Sequence, residues 1–151
     1  WDPSDHNLLY SAGWDKTVKL WDLRQPDPAR SAFGSYVCGD ALDVGEGGKV
    51  LTGSWRSKDA LQLWDMHQGK LAQQYAFESS EHEAPSMLYA ARFLPGGKAV
   101  AAGGSGKEPS VRFFEADTGR ILGHFKAESS VHALDFCCTQ GACFAMVTTA
   151  D

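Results

Sequence analysis

Val18-Lys19-Leu20-Trp21-Asp22, Leu61-Gln62-Leu63-Trp64-Asp65 and Val111-Arg112-Phe113-Phe114-Glu115 are three versions of one pattern: a short apolar strand ending on an aromatic residue and an acid. They lie 43 and 50 residues apart. A supersecondary unit recurring at such a period marks a repeat architecture. Alternate residues of a strand lie on opposite sides. Val18, Leu20, Leu61, Leu63, Val111 and Phe113 therefore share one side, and Trp21, Trp64 and Phe114 the other. A sheet apolar on both sides must be sandwiched between two neighbours. Lys19, Gln62 and Arg112 fall at one shared position, where a long side chain is expected to bury its stem and keep its head wet.

Working outward, each copy carries further strands. In the middle unit, Ala41 to Val44 is a first strand, Gly45-Glu46-Gly47-Gly48 a turn, Lys49 to Ser54 a second strand, Ala60 to Asp65 the third and Leu71 to Phe77 the fourth. These are strands a, b, c and d. The next unit repeats the order: Leu88 to Leu94, Lys98 to Gly103, Ser110 to Glu115 and Ile121 to Phe125, with Gly-Arg-Ile at 119–121 echoing Gly-Lys-Leu at 69–71. The first unit supplies b (Leu8 to Gly13), c (Thr17 to Leu23) and a weak d near Ser31 to Ser35, with Trp1-Asp2-Pro3 read as the end of a strand a. The last supplies a (Val131 to Phe136) and b (Ala142 to Thr149). The units divide as 1–35, 36–80, 81–127 and 128–151. The expected fold is all-β: 13 strands, or about 3.25 four-stranded antiparallel blades of a propeller. Closed propellers have typically 4–8 blades, so the chain is expected to be a piece of a longer one. A small partial propeller that closes by self-association is the alternative.

Composition narrows the function. Of 151 residues, 16 are glycine, no run reads as a long helix, and no apolar stretch approaches the ~20 residues of a membrane span; no signal peptide is visible. The net charge is −5 and the basic residues are scattered, whereas nucleic acid wants a concentrated basic stripe. Nucleic-acid and membrane partners are therefore not expected. The four cysteines, Cys38, Cys137, Cys138 and Cys143, lack zinc-ligand spacing. They are expected to be reduced packing thiols of an intracellular, cytoplasmic or nuclear protein, with no metal and no cofactor.

These strands and turns resemble the WD40-repeat family over essentially the whole chain. The resemblance implies a bracing network in each blade: a Ser or Thr of strand b, an Asp of the b–c turn, the strand c Trp, and a His between d and a. Ser11-Ala12-Gly13-Trp14-Asp15-Lys16-Thr17 looks like the family's b–c turn, so Ser11, Asp15 and Trp21 are implied members. Thr52 and Trp64 are their counterparts, with Arg56 where the Asp would be. Ala102 or a neighbour, with Phe114, occupies the third set, which lacks the network. His124 aligns with Gln74 inside strand d and is read as a strand residue.

No catalytic residues are assigned. Catalysis needs a nucleophile, a base and an orienting group within hydrogen-bond reach, and His6, His67, His82 and His132 share no spacing. The glycines lie in hairpin turns, not ahead of a helix, so no phosphate cradle is implied. The resemblance implies a rigid disc whose b–c and d–a loops share a face that binds proteins or peptides. Trp14 and Trp55 precede the b–c turn position there, so Trp14, Trp55 and Arg56 are the leading contact candidates, followed by Tyr36, Met87 and Glu128 near the start of strand a. Packing of the two rings against the next blade's loops is the alternative. The acidic segment Glu78 to Pro85 could receive a basic partner or be a solvated loop. The function expected is a scaffold for assembling proteins, including the remaining blades of a longer chain. The alternative is a substrate-recruiting or regulatory domain of a ubiquitin-ligase or kinase assembly.

Overall fold

A computed structural model describes residues 1–56, 58–77, 86–139 and 142–149; the acidic segment Glu78 to Pro85 lies outside the described residues. Thirteen strands are present among them: β1 (Leu8–Ala12), β2 (Thr17–Asp22), β3 (Pro28–Phe33), β4 (Leu42–Val44), β5 (Lys49–Gly53), β6 (Leu61–Asp65), β7 (Lys70–Tyr75), β8 (Met87–Phe93), β9 (Ala99–Ser105), β10 (Ser110–Glu115), β11 (Ile121–Lys126), β12 (Val131–Thr139) and β13 (Ala142–Thr149). They form four antiparallel meanders, β1-β2-β3, β4-β5-β6-β7, β8-β9-β10-β11 and β12-β13. The architecture is that of an all-β partial propeller, with one 3-10 turn at Glu46–Gly48. Among the described residues no helix is long and apolar enough to cross a membrane.

Strand alternation decides how the sheets stack. Leu61 and Leu63 of β6 face the third sheet, in a core with Leu51, Tyr75, Phe77, Leu88, Val100 and Phe114. Trp64, one position on, faces the first sheet, in a core with Tyr10, Val18, Leu20, Ala32, Val50 and Met66. Val111 and Phe113 of β10 meet Val131 and Leu134 of the fourth sheet. The aromatic of strand c thus plugs backward into the preceding blade, while the aliphatics beside it look forward.

Two expectations need correction. The weak d strand lies at Pro28–Phe33, three residues earlier than its sequence reading. Ser35 has left the sheet, because its hydroxyl bonds Thr52 Oγ1 at 2.7 Å in the next blade. Gln62 does not keep its head in water: it is 4 % exposed, and its Oε1 accepts the Ser35 hydroxyl at 3.2 Å. Its counterparts differ. Lys19 reaches Asp15 at the surface, and the Arg112 guanidinium lies 4.9 Å from the Phe77 ring centre of the preceding blade.

The inner strands are joined by charge. Asp43, Arg92 and Asp135 occupy one register position in β4, β8 and β12. The Arg92 guanidinium bonds the Asp40 carboxylate and donates to the Asp40 carbonyl at 3.1 Å, while Phe93 N–H donates to Asp43 Oδ2 at 2.8 Å. Burial disfavours the charge on Arg92, but Asp40, then Asp43 and Asp135, hold its pKa above the ordinary value.

Residues 1–7 form no strand. Asp2 is buried, and its Oδ1 accepts from Ser4 N–H at 2.8 Å, the Ser4 hydroxyl at 2.6 Å and Asp5 N–H at 3.1 Å. Its Oδ2 accepts the Tyr10 hydroxyl at 2.8 Å. Burial opposes ionisation of Asp2, but these bonds, led by Ser4, bring its pKa from 3.8 down to about 2. A depressed carboxylate stabilises the fold fully above its unfolded value and loses that contribution as pH falls through the folded one. The stability difference between wild type and Asp2→Asn is therefore expected to be constant above pH 3.8 and to vanish as pH falls through about 2, read by denaturant titration at each pH.

The cysteines depart from four reduced thiols. Cys38 and Cys137 are free, but Cys138 is disulfide-bonded. Adjacent residues of a strand face opposite ways, so Cys137 and Cys138 do not share a setting.

Candidate functional site

The bracing network forms in two blades with different members. In the first sheet Trp21 Nε1 donates to Ser11 Oγ at 2.9 Å. Asp15 turns away from this pair: it accepts Thr17 N–H at 3.1 Å and Lys19 Nζ at 3.1 Å, and hydrogen bonds from Thr17 and then Lys19 hold its pKa at about 2. In the second sheet Trp64 Nε1 donates to Thr52 Oγ1 at 3.1 Å and Ser35 Oγ at 3.2 Å. Ser35 stands where the family pattern puts a histidine, and Gln62 completes the cluster. Neither was legible as a network residue, because the pattern names other residue types there. In the third sheet Ala102 faces Arg112 in register, as Thr52 faces Gln62, and Phe114 packs against Tyr75 at 5.4 Å and Phe77 at 6.3 Å without a donor.

The crossover from the first sheet to the second, residues 34–37, is stitched to both. Toward the first, Gly34 N–H donates to Lys16 O at 3.0 Å and Val37 N–H to Gly13 O at 3.3 Å. Toward the second, Tyr36 N–H donates to Ser54 Oγ at 2.7 Å, Trp55 N–H to Tyr36 O at 3.0 Å and Arg56 Nη1 to Gly34 O at 2.6 Å. Gly34 has φ 149° with the Trp64 ring against it, a conformation and a closeness that suit glycine. The loops ahead of β2 and β6 are thereby held at fixed spacing.

On this frame the aromatics form a row. Trp14 meets Tyr36 edge-on at 5.1 Å and Trp55 at 5.2 Å. Trp55 meets Tyr89 at 5.2 Å, and Tyr89 stacks on His132 at 4.7 Å. The row runs through all four sheets or the loops between them. Such pairs each contribute about 0.5–1.5 kcal/mol beyond area burial. Trp14 remains 54 % exposed. Trp55 is half-buried, and its Nε1 is buried with no hydrogen-bond partner among the described residues. Sequence reading missed Tyr89 and His132. Their signal is positional: each lies three residues before the inner-strand charge, Arg92 and Asp135. Met87 and Glu128 are exposed, but neither makes a ring contact with the row among the described residues.

Beside the row is a pocket of about 430 Å³ lined by Lys16, Gly34, Tyr36, Trp55 and Arg56. Lys16 Nζ lies 5.6 Å from the Tyr36 ring centre. A smaller hollow of about 250 Å³ borders Trp14, with Ser11, Asp15 and Lys19. Among the described residues no cluster of His, Cys, Asp and Glu could hold a metal ion.

Antiparallel meanders at this period, each joined to the last by its strand c aromatic, give the chain the fold of a WD40 β-propeller, as part of such a ring. It is similar to the WD40 repeat protein poxJ of Penicillium oxalicum, 28 % identical over 143 residues, which cover 91 % of this chain and 39 % of poxJ. It is also similar to the ribosome biogenesis protein WDR12 homolog of Arabidopsis thaliana, 33 % identical over 64 residues, 40 % of this chain and 14 % of that protein. The crystal structure of the WD40 propeller domain of Doa1 superposes with a TM-score of 0.71 at 23 % identity, covering 95 % of this chain and 44 % of that one. No family model matches the chain. The chain thus spans roughly two fifths of the length of poxJ and of the Doa1 propeller chain.

Proposed function

We propose that this chain is part of a WD-repeat scaffold that assembles other proteins, and that the row Tyr36–Trp14–Trp55–Tyr89–His132 is its contact surface. The observation that carries this reading is the continuity of the row: five rings from successive sheets or the loops between them, with Trp14 half in solvent. Aromatic residues and arginine dominate the binding energy of protein interfaces. A surface already fixed by its own hydrogen bonds loses little freedom on binding, and the stitched crossover 34–37 provides that fixity. The WD40-repeat relatives support a protein-interaction role over a catalytic one. Metal and cofactor have no part in this reading.

The test is Trp14→Ala in the whole protein. Partner affinity is expected to fall by about 2 kcal/mol or more, the size of an interface hot spot, measured by quantitative pulldown. The loss of two ring contacts is expected to lower the melting temperature, so capture is measured well below it, where the variant is folded. Wild-type partner capture by Trp14→Ala, or a loss that merely tracks unfolding, would overturn the reading.

A further inference from the structure

The pocket beside the row is basic on a chain whose net charge is −5. Among the described residues its lining contains two cations, Lys16 and Arg56, and no acid. Among the described residues neither cation is in an ion pair, and the acid next to Lys16 in sequence, Asp15, is paired with Lys19. We propose that this pocket receives the carboxylate of a glutamate or aspartate side chain on an acidic segment of the protein partner. The proposal rests on the reading of the aromatic row as a docking surface and names the chemistry of what docks.

The donors are arranged for such a group. Gly34 O accepts from Arg56 Nη1 at 2.6 Å, which anchors one end of the guanidinium and leaves its Nε–Nη2 edge as a two-donor fork. That fork matches the two oxygens of a carboxylate. Lys16 adds a mobile ammonium over the Tyr36 ring. Tyr36 and Trp55 belong to both pocket and row, so they give apolar walls for the methylene stem and continuity with the rest of a bound peptide. A phosphate is the less suitable occupant. Its three terminal oxygens are best met by a nest of free backbone N–H groups, and here those of Gly34, Tyr36 and Trp55 are already donated to Lys16 O, Ser54 Oγ and Tyr36 O.

The experiment uses the whole protein and short degenerate peptides fixed at the centre as Glu, Gln or phosphoserine, with affinity read by fluorescence anisotropy. Glu-centred peptides are expected to bind at least about tenfold tighter than their Gln counterparts, and added salt should weaken them. Arg56→Gln and Lys16→Gln should each remove most of that preference. Lys16 is exposed, so its variant keeps the test valid if Arg56→Gln disturbs the crossover. Equal binding of Glu and Gln peptides, a phosphoserine series stronger than the Glu series, no peptide binding, or affinity unchanged in both variants would each overturn the proposal. If Trp14→Ala abolishes partner capture while both charge variants retain Glu-peptide affinity, the docking surface stands and the carboxylate site falls. If none of the three variants alters partner capture, both fall.

Discussion

Trp64→Ala is expected to lower the unfolding free energy by about 3–5 kcal/mol, the range for removing a large buried aromatic. The ring is among the buried side chains of the core shared by the first two sheets, with Tyr10, Val18, Leu20 and Ala32 on the far side. Its truncation opens a cavity between the two sheets. It also removes the indole donor that Ser35 and Thr52 accept, and desolvated hydroxyls without their partner add to the loss. Trp64→Phe separates the two effects: it keeps most of the volume and is expected to cost about 1–3 kcal/mol for the hydrogen bonds alone. Denaturant titration of both variants measures this. A loss below about 1 kcal/mol for Trp64→Ala would contradict the packing described.

Gly104→Ala is the second large effect, expected to cost about 3 kcal/mol or more, the upper end for forcing an extra methyl into a filled space. A Cβ at Gly104 would stand 2.0 Å from Met87 O, 2.7 Å from Met87 C and 2.8 Å from Leu88 Cα. All three are backbone atoms, so no side chain can rotate out of the way. The crowding coincides with the register shift between Leu88 and Ala90 in the β8–β9 ladder, where one strand carries an extra residue and bends toward its partner. Gly13→Ala is the control. A Cβ there meets nothing within 4 Å, and its melting temperature should match wild type to within the effect of an ordinary surface change, about 0.5 kcal/mol. Equal melting of the two variants would sink the account of the bulge.

Most of the strand layout could be read in the residues because each strand c declares itself twice, by alternation and by its aromatic-acid ending. β10 runs from Ser110 to Glu115 in both readings. Boundaries failed where a side chain left its sheet for a neighbour. Ser35 reads as the end of a strand in its own unit, yet its hydroxyl is spent on Thr52 and Gln62 of the next. A contact between blades leaves no mark in the local pattern. The candidate site was half legible for the same reason. Trp14 and Trp55 stand out by their place before the turn. Tyr89 and His132 lie on inner strands, and only the stacking of successive sheets brings them into one row. The burial of Gln62 was hidden by its company with Lys19, which reaches Asp15 at the surface, and Arg112, whose head lies over the Phe77 ring.

The backward plug of the strand c aromatics also sets an order of events during synthesis. Tyr75 and Phe77 complete the second sheet, but their cover is Phe114, which belongs to the third. As the chain leaves the ribosome, each finished sheet has to wait with an apolar side uncovered until the strand c of the following unit emerges and closes it. Domains fold from the N-terminus as they are made; within this one, every blade is sealed by its successor. A pause in translation after Phe77 has emerged from the ribosome and before Phe114 has would hold the nascent chain with that side uncovered, and chaperone capture should peak there.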